Sequence, residues 1–396
     1  MYLGICQSCP FVGSESRIGE MKSIVLDCGT GLVKAGFSGD DAPISVFPTV
    51  VGHPKHAPTS MLVTKPTRQF YVGGEAQRNR GMLDLRSPVQ HGIVTDWEEM
   101  ERVWDHVFLE ELKVSPEQKL VLLTEPPLNP KQNKTQTAQI MFEKFGCAGL
   151  HLGIQPVLAL YATGTTTGTV VDCGEGVTHV VPIYEGFSLP HAVMRLEVAG
   201  GELTDYLTKL LNASAGYEFG TSSESDIVRE IKEKLCFVAR DPVQEARDNS
   251  VRNTLRKQYT LPDGQVITVN NERFQCAEAL FNPFLVGRQS PGLHAACIES
   301  IMKCGIDLRR ELYGSITLVG GTTRLPGLIG RLQEEINTLS PKLTRVGVLA
   351  SPDRQYSVWI GGSILASLTT FATNATKVWI SKQLYEEHGP DVVNGF

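Results

Sequence analysis

At 396 residues, with 41% hydrophobic and 20% charged side chains, the chain is longer than one hydrophobic core normally organises, and its composition excludes disordered, collagen-like and coiled-coil classes. A formal net charge of −6 gives no overall attraction to nucleic acid or anionic lipid, so direct nucleic-acid binding is not expected. No apolar run reaches the ~18 to 20 residues that span a bilayer, and the opening MYLGICQSCPFVG lacks the basic-then-apolar order of a secretory leader, so an intracellular protein without a membrane span is expected.

Residues 1–20 carry no periodicity and read as an appended or loosely ordered tail. The CxxC at Cys6 and Cys9 within it has no second pair or histidine cluster to complete a zinc site. Nine cysteines in a chain of this length read as reduced, mostly buried thiols. From Ser23 onward, short apolar runs that end in Gly or Pro (SIVLDCG, LVLLTEPP, GTVVDCG, SITLVGG) read as strands. They alternate with helical stretches expected over Asp226 to Ala239 and Leu328 to Leu339. This alternation is an α/β pattern, and no low-complexity linker divides it.

The most informative feature is an internal echo. SIVLDCGTGLVKAGF (Ser23 to Phe37) and GTVVDCGEGVTHVVP (Gly168 to Pro182) share the frame V-[LV]-D-C-G-x-G, each time a hydrophobic strand that delivers an Asp and then a Gly-rich turn. Recurrence of the same frame half a protein apart predicts two related α/β halves with the turns facing across a cleft. Gly-rich turns let backbone N–H groups approach an anion, so two facing turns can grip a polyphosphate. Thr30 adds a hydroxyl donor and Lys34 a positive charge. Asp27 and Asp172, one from each half, are suited to hold a hydrated Mg2+, an ion that binds through few protein ligands. Neither a G-x-x-x-x-G-K-[ST] phosphate loop nor a G-x-G-x-x-G fingerprint is present.

The segments DCGTGLVKAGFSGDDAP, HGIVTDWEEMERVW, LLTEPPLNPKQNK, DCGEGVTHVVPIYEG, IKEKLCFVA, LPDGQVITVNNERF, GGTTRLPG and YSVWIGGSILASL resemble, in order from about Ser23 to Gly389, the actin family. The resemblance implies an actin-like duplicated α/β fold shared with sugar kinases and heat-shock ATPases. It divides the chain into residues 21–162 plus 357–396 (with a smaller subdomain over about 49–87) and 163–356 (with one over about 199–288). It implies ATP and Mg2+ or Ca2+ in the cleft, slow hydrolysis, filament formation or co-assembly with actin-like subunits, and a cytoplasmic, cytoskeletal location. By matching position, Asp27, Gly29, Thr30, Gly31 and Lys34 would form one phosphate turn and Asp172, Gly174, Glu175, Gly176 and Val177 the other. Gln155 and His179 would position the attacking water. Arg229, Lys232, Glu233, Gly320, Gly321, Thr322 and Gln355 would surround the nucleoside. Pro156 suits the first turn of a helix joining the halves. Tyr161, Thr166, Ile364, Leu365 and Leu368 would line a groove for helical partners. A non-polymerising subunit that uses ATP structurally within a larger complex is the alternative, and a kinase or chaperone ATPase of the same superfamily a remoter one.

Several positions depart from the family pattern. Glu175 stands in place of Asp, Arg324 and Leu325 replace a Met-Tyr pair, and Gln355 replaces Lys near the base. Gly201 and Glu202 replace an Arg-Asp pair, removing a guanidinium fork. The loop Ala57 to Phe70 is longer and carries Pro58 and Pro66. The plug-like NPFLVGR (Asn282 to Arg288) is expected to present Leu285 and Val286 as its apolar tip. ATNATKV (Ala372 to Val378) is longer than its counterpart and is expected to bulge at the groove, weakening the docking of actin-binding proteins.

Overall fold

The computed structural model describes residues 22–55, 68–214, 217–369, 371 and 378–395. The expected tail 1–20, most of the loop 57–70 and most of the insert 372–378 lie outside the described residues.

All four apolar runs form strands: Ile24–Cys28, Leu120–Glu125, Gly168–Cys173 and Ile316–Val319. Their sequences are nearly continuous in Val, Ile and Leu because both faces of each sheet are covered, and Ile24, Val25, Leu26, Val170 and Val171 have no exposed surface. The first sheet runs Ser45–Pro48, Leu32–Phe37, Ile24–Cys28, Leu120–Glu125, Gly149–Ile154, with Ile380–Ser381 added at the far edge. The second runs Met194–Leu196, Thr178–Tyr184, Gly168–Cys173, Ile316–Val319, Val348–Leu349, with Phe187–Ser188 also paired to Thr178–Tyr184. In both, three antiparallel strands are followed by two parallel ones in the same spatial order. The fold is therefore a duplicated α/β architecture, as the echo in the sequence predicts.

The sheets are joined through two helices. Gln155–Tyr161 leaves the end of Gly149–Ile154 with Pro156 in its first turn, where a missing N–H leaves no bond unmade. Ser357–Ser367 crosses it so closely that a Cβ on Gly361 would sit 1.7 Å from the Leu158 carbonyl oxygen. Trp359, fully buried on the same helix, donates its indole N–H to Val25 O at 3.0 Å and so fastens this crossing to the central strand of the first sheet.

Two expectations are corrected. The helix expected over Asp226 to Ala239 forms as Ser222–Leu235. Its start is set by a capping box, with Thr221 and Glu224 each satisfying the other's backbone N–H. It ends early because Cys236 turns extended, Arg273 Nε takes the Leu235 carbonyl at 2.8 Å, and Phe237 and Val238 donate their N–H groups to Arg273 O and Pro326 O. The apolar CFVA thus packs as an extended segment, although its periodicity continues the helix. In the second correction, the short 3-10 turn Pro283–Val286 exposes Phe284 and Leu285, whereas Val286 folds back onto the core. Arg288 pairs with Glu197 at 2.8 Å and fixes the base of that loop.

Candidate functional site: two aspartate-bearing turns in contact

The hairpins that carry the echo pair in the same register. Asp27 lies opposite Lys34 in the first and Asp172 opposite His179 in the second. Each turn is closed by the same bond, Gly29 N to Leu32 O at 3.0 Å and Gly174 N to Val177 O at 3.2 Å. The turns touch: a Cβ on Gly176 would come within 2.7 Å of Thr30 Oγ1, and one on Gly31 within 3.0 Å of Glu175 Cβ. Glycine at these two positions permits the approach, because a side chain there would collide with the Thr30 and Glu175 side chains of the facing turn.

The duplication has diverged electrostatically. Asp27 is well partnered: Lys34 Nζ donates at 2.6 Å, Thr124 Oγ1 at 2.7 Å and Gln155 Nε2 at 3.3 Å. Where the first hairpin has Lys34, the second has His179, whose imidazole is held at about 4 by burial and by the neighbouring Arg195 charge. His179 is therefore neutral at physiological pH, cannot neutralise Asp172, and is a weaker base than a free histidine. Among the described residues no donor bonds the Asp172 carboxylate, and burial together with the Asp27 charge pushes it up to about 6, against the opposing effect of Lys34. An unpaired carboxylate beside a second carboxylate suits a cation that binds through few protein ligands. The residues present fit a hydrated Mg2+ or Ca2+, with Asp27 and Asp172 as the groups that would hold it.

Gln155 is anchored through its amide nitrogen to both Asp27 Oδ1 and Thr124 Oγ1, at 3.3 Å each, which leaves its carbonyl oxygen to accept from a water. Glu175 does not crowd the turns. Its longer side chain runs to the start of the helix Gly200–Ser214, where a Cβ on Gly200 would lie 2.4 Å from Glu175 Oε2, and comes within 3.9 Å of Lys232. A carboxylate at that helix start is stabilised by the helix dipole. The extra methylene is thus absorbed next to a glycine.

The residues expected around a nucleoside fall on two walls. Thr322 Oγ1 donates to Gly174 O at 2.7 Å, which ties Gly320 and Gly321 to the second turn; a Cβ on Gly320 would meet Cys173 O at 2.3 Å and Asp172 Oδ1 at 2.9 Å. Arg229 and Glu233 line a recess of about 280 Å³ with Gln77, Arg80 and Asp226. Lys232 does not open into it, because its ammonium bonds Gly200 O and Thr204 Oγ1 and is buried. Gln355 accepts from Arg324 NH1 at 2.5 Å. On the outer side of the junction, Tyr161 and Leu365 pack on the Trp359 cluster, Ile364 and Leu368 are 40% and 46% exposed, and Thr166 O accepts from Gly186 N beside Tyr161.

Sequence reasoning missed Thr124, His91, Gly92 and Gly200. Thr124 is legible only as the polar break in LVLLTE. His91 and Gly92 both have left-handed backbones: His91 Nδ1 bonds Gly176 O across the halves at 2.8 Å, and Gly92 N donates to Thr30 Oγ1 within the first half at 2.9 Å. With this geometry in place, the family follows from a direct match: a family model described as Actin fits residues 18–395, and the chain belongs to the actin family. Proteins of this family generally bind ATP and a divalent cation.

Proposed function

We propose that this chain is an actin-like cytoskeletal protein that binds Mg-ATP between the two aspartate-bearing turns, hydrolyses it slowly, and assembles into or associates with cytoplasmic filaments. The observation that carries this reading is the contact of the two turns across the halves, with one aspartate partnered by a lysine and a threonine and the other unpaired among the described residues. When bound, a divalent cation supplies charge neutralisation at the phosphate oxygens. Lys34 adds a fixed positive charge beside Asp27, and the turn N–H groups hold the phosphates. Gln155 cannot take a proton and orients water through its free carbonyl, while neutral His179 accepts a hydrogen bond or relays a proton on the opposite hairpin. Neither is a strong base, which accounts for slow turnover. The exposed Ile364 and Leu368 offer apolar anchors to a helical partner, and the insert 372–378 borders that groove in sequence.

Gln155→Ala is expected to slow phosphate release by at least about tenfold while leaving ATP affinity nearly unchanged, because the residue positions water without holding nucleotide. A parallel loss of binding and turnover would reassign it to the binding shell. The assembly reading is tested by sedimentation and electron microscopy of the purified protein in Mg-ATP, Mg-ADP and EDTA. Polymer that pellets in Mg-ATP with accompanying phosphate release is the expected result; protein that stays in the supernatant under every condition contradicts assembly.

A further inference from the structure

We propose that Trp104 is a positioning residue for the hydrolytic site, acting through ordered water held in a cavity lined by Thr124. The water site stands on its own geometry; the positioning role rests on the ATP-hydrolysing reading above. A cavity of about 40 Å³ lies between the helix Trp97–His106 and the end of the strand Leu120–Glu125, and Trp104, Thr124, Asn129 and Asn133 all line it. The helix brings Trp97, Met100 and Trp104 to it on one face, at the three- and four-residue spacing that stacks side chains. Trp104 is 1% exposed, and its indole N–H has no partner among the described residues. A buried donor left unmade is costly, and a cavity with polar walls takes up water where an apolar one stays dry.

The hydrogen-bonding groups along these walls complement water. Trp104 supplies a donor. Thr124 Oγ1 gives its proton to Asp27 Oδ1 at 2.7 Å and accepts from Gln155 Nε2 at 3.3 Å, so one of its two acceptor sites is still open. Asn129 and Asn133 each commit an amide N–H, to Glu125 Oε2 at 3.1 Å and to Val94 O at 3.2 Å, and their carbonyl oxygens have no donor among the described residues. A water accepts from Trp104 and gives its two protons to such acceptors, and the cavity exceeds the roughly 10 to 15 Å³ that one water needs. The competing acceptor for the indole is Cys28 Sγ, which lines the same cavity. Burial, and then the Asp27 charge, push that thiol up to about 12, so it is uncharged and a weak acceptor. A water proton on the open side of Thr124 holds the hydroxyl with its own proton on Asp27 and its other lone pair on Gln155. Without it the hydroxyl is free to turn. Gln155, which has Thr124 as one of its two anchors, then loses the orientation that presents its carbonyl to the attacking water.

The test begins with the unaltered protein. Nuclear Overhauser transfer from water to the indole N–H groups is measured with isotope-labelled tryptophan. The Trp104 signal is assigned by its loss in Trp104→Phe or, should that variant not fold, by elimination through single replacement of the other three tryptophans. Transfer to the Trp104 N–H from a long-lived water is expected, and crystals under xenon pressure should show no xenon in the cavity. A Trp104 N–H without water contact, or xenon inside the cavity, overturns the water site and the positioning role together. Trp104→Phe keeps an aromatic ring in place and removes the donor. Well below its melting midpoint it should slow phosphate release about threefold or more while ATP affinity stays within about twofold. A merely structural role would lower affinity together with turnover or leave the rate unchanged, and either result overturns the positioning role. A parent that neither binds nor hydrolyses ATP overturns the reading above and the positioning role with it, whatever the cavity holds.

Discussion

Asp172→Asn is expected to reduce divalent-dependent ATP binding by at least about a hundredfold while making the nucleotide-free protein more stable at neutral pH. The two effects share one cause. Asp172 is unpaired among the described residues and its carboxyl is raised to about 6, mainly by burial and then by Asp27. The folded state therefore holds a proton that the unfolded chain has already lost between about pH 4 and 6, so ionised Asp172 destabilises the fold fully above pH 6 and not at all below about 4. From the ordinary value of 3.8, the shift corresponds to at most about 3 kcal/mol, reduced because the side chain keeps some surface open to the cleft. Asparagine removes that penalty together with the negative charge the cation needs. Thermal melts of the nucleotide-free proteins at pH 7 and pH 4.5 check the first half: the variant should melt higher at pH 7, with the gap closing on acidification. Titration with Mg-ATP checks the second. Asp27→Asn should behave differently, losing stability, because it leaves the half-buried Lys34 ammonium without its counter-charge.

Gly361→Ala is expected to lower stability by about 3 kcal/mol or more and the melting midpoint by at least about 5 °C. The added methyl would occupy the position of the Leu158 carbonyl oxygen, and backbone cannot move aside as a flexible side chain can. Separating Ser357–Ser367 from Gln155–Tyr161 also disturbs the base on which Gln155 stands, so hydrolysis should fall with stability. Gly330→Ala is the matched control. It sits at an exposed position in the first turn of Leu328–Leu339 with nothing within 4 Å of the new methyl, and should stabilise by about 0.5 to 1 kcal/mol. If both substitutions proved neutral, the close helix crossing would not describe the protein in solution.

Much of this was readable before any coordinates because the signals are local. Four strands are marked by apolar runs that end in Gly or Pro, and the duplicated Asp-Cys-Gly frame indicates that they belong to two equivalent sheets. The Asp27 and Asp172 turns follow from the same frame. What the sequence conceals depends on partners distant in the chain. Thr124 reads as one polar residue in a buried strand, and only the parallel pairing of Leu120–Glu125 with Ile24–Cys28 brings it to Asp27. The helix end at Leu235 is decided by Arg273 and Pro326, not by the residues that follow it. The accommodation of Glu175 depends on Gly200, and the orientation of Gln355 on Arg324.

The central claim, that both aspartate-bearing turns grip one nucleotide, is tested most directly by amide hydrogen exchange with and without Mg-ATP. The account predicts that peptides covering residues 27–35 and 172–179 gain protection together, and that both lose it when EDTA removes the cation. Protection confined to one of the two segments, or unchanged exchange in both, would contradict it.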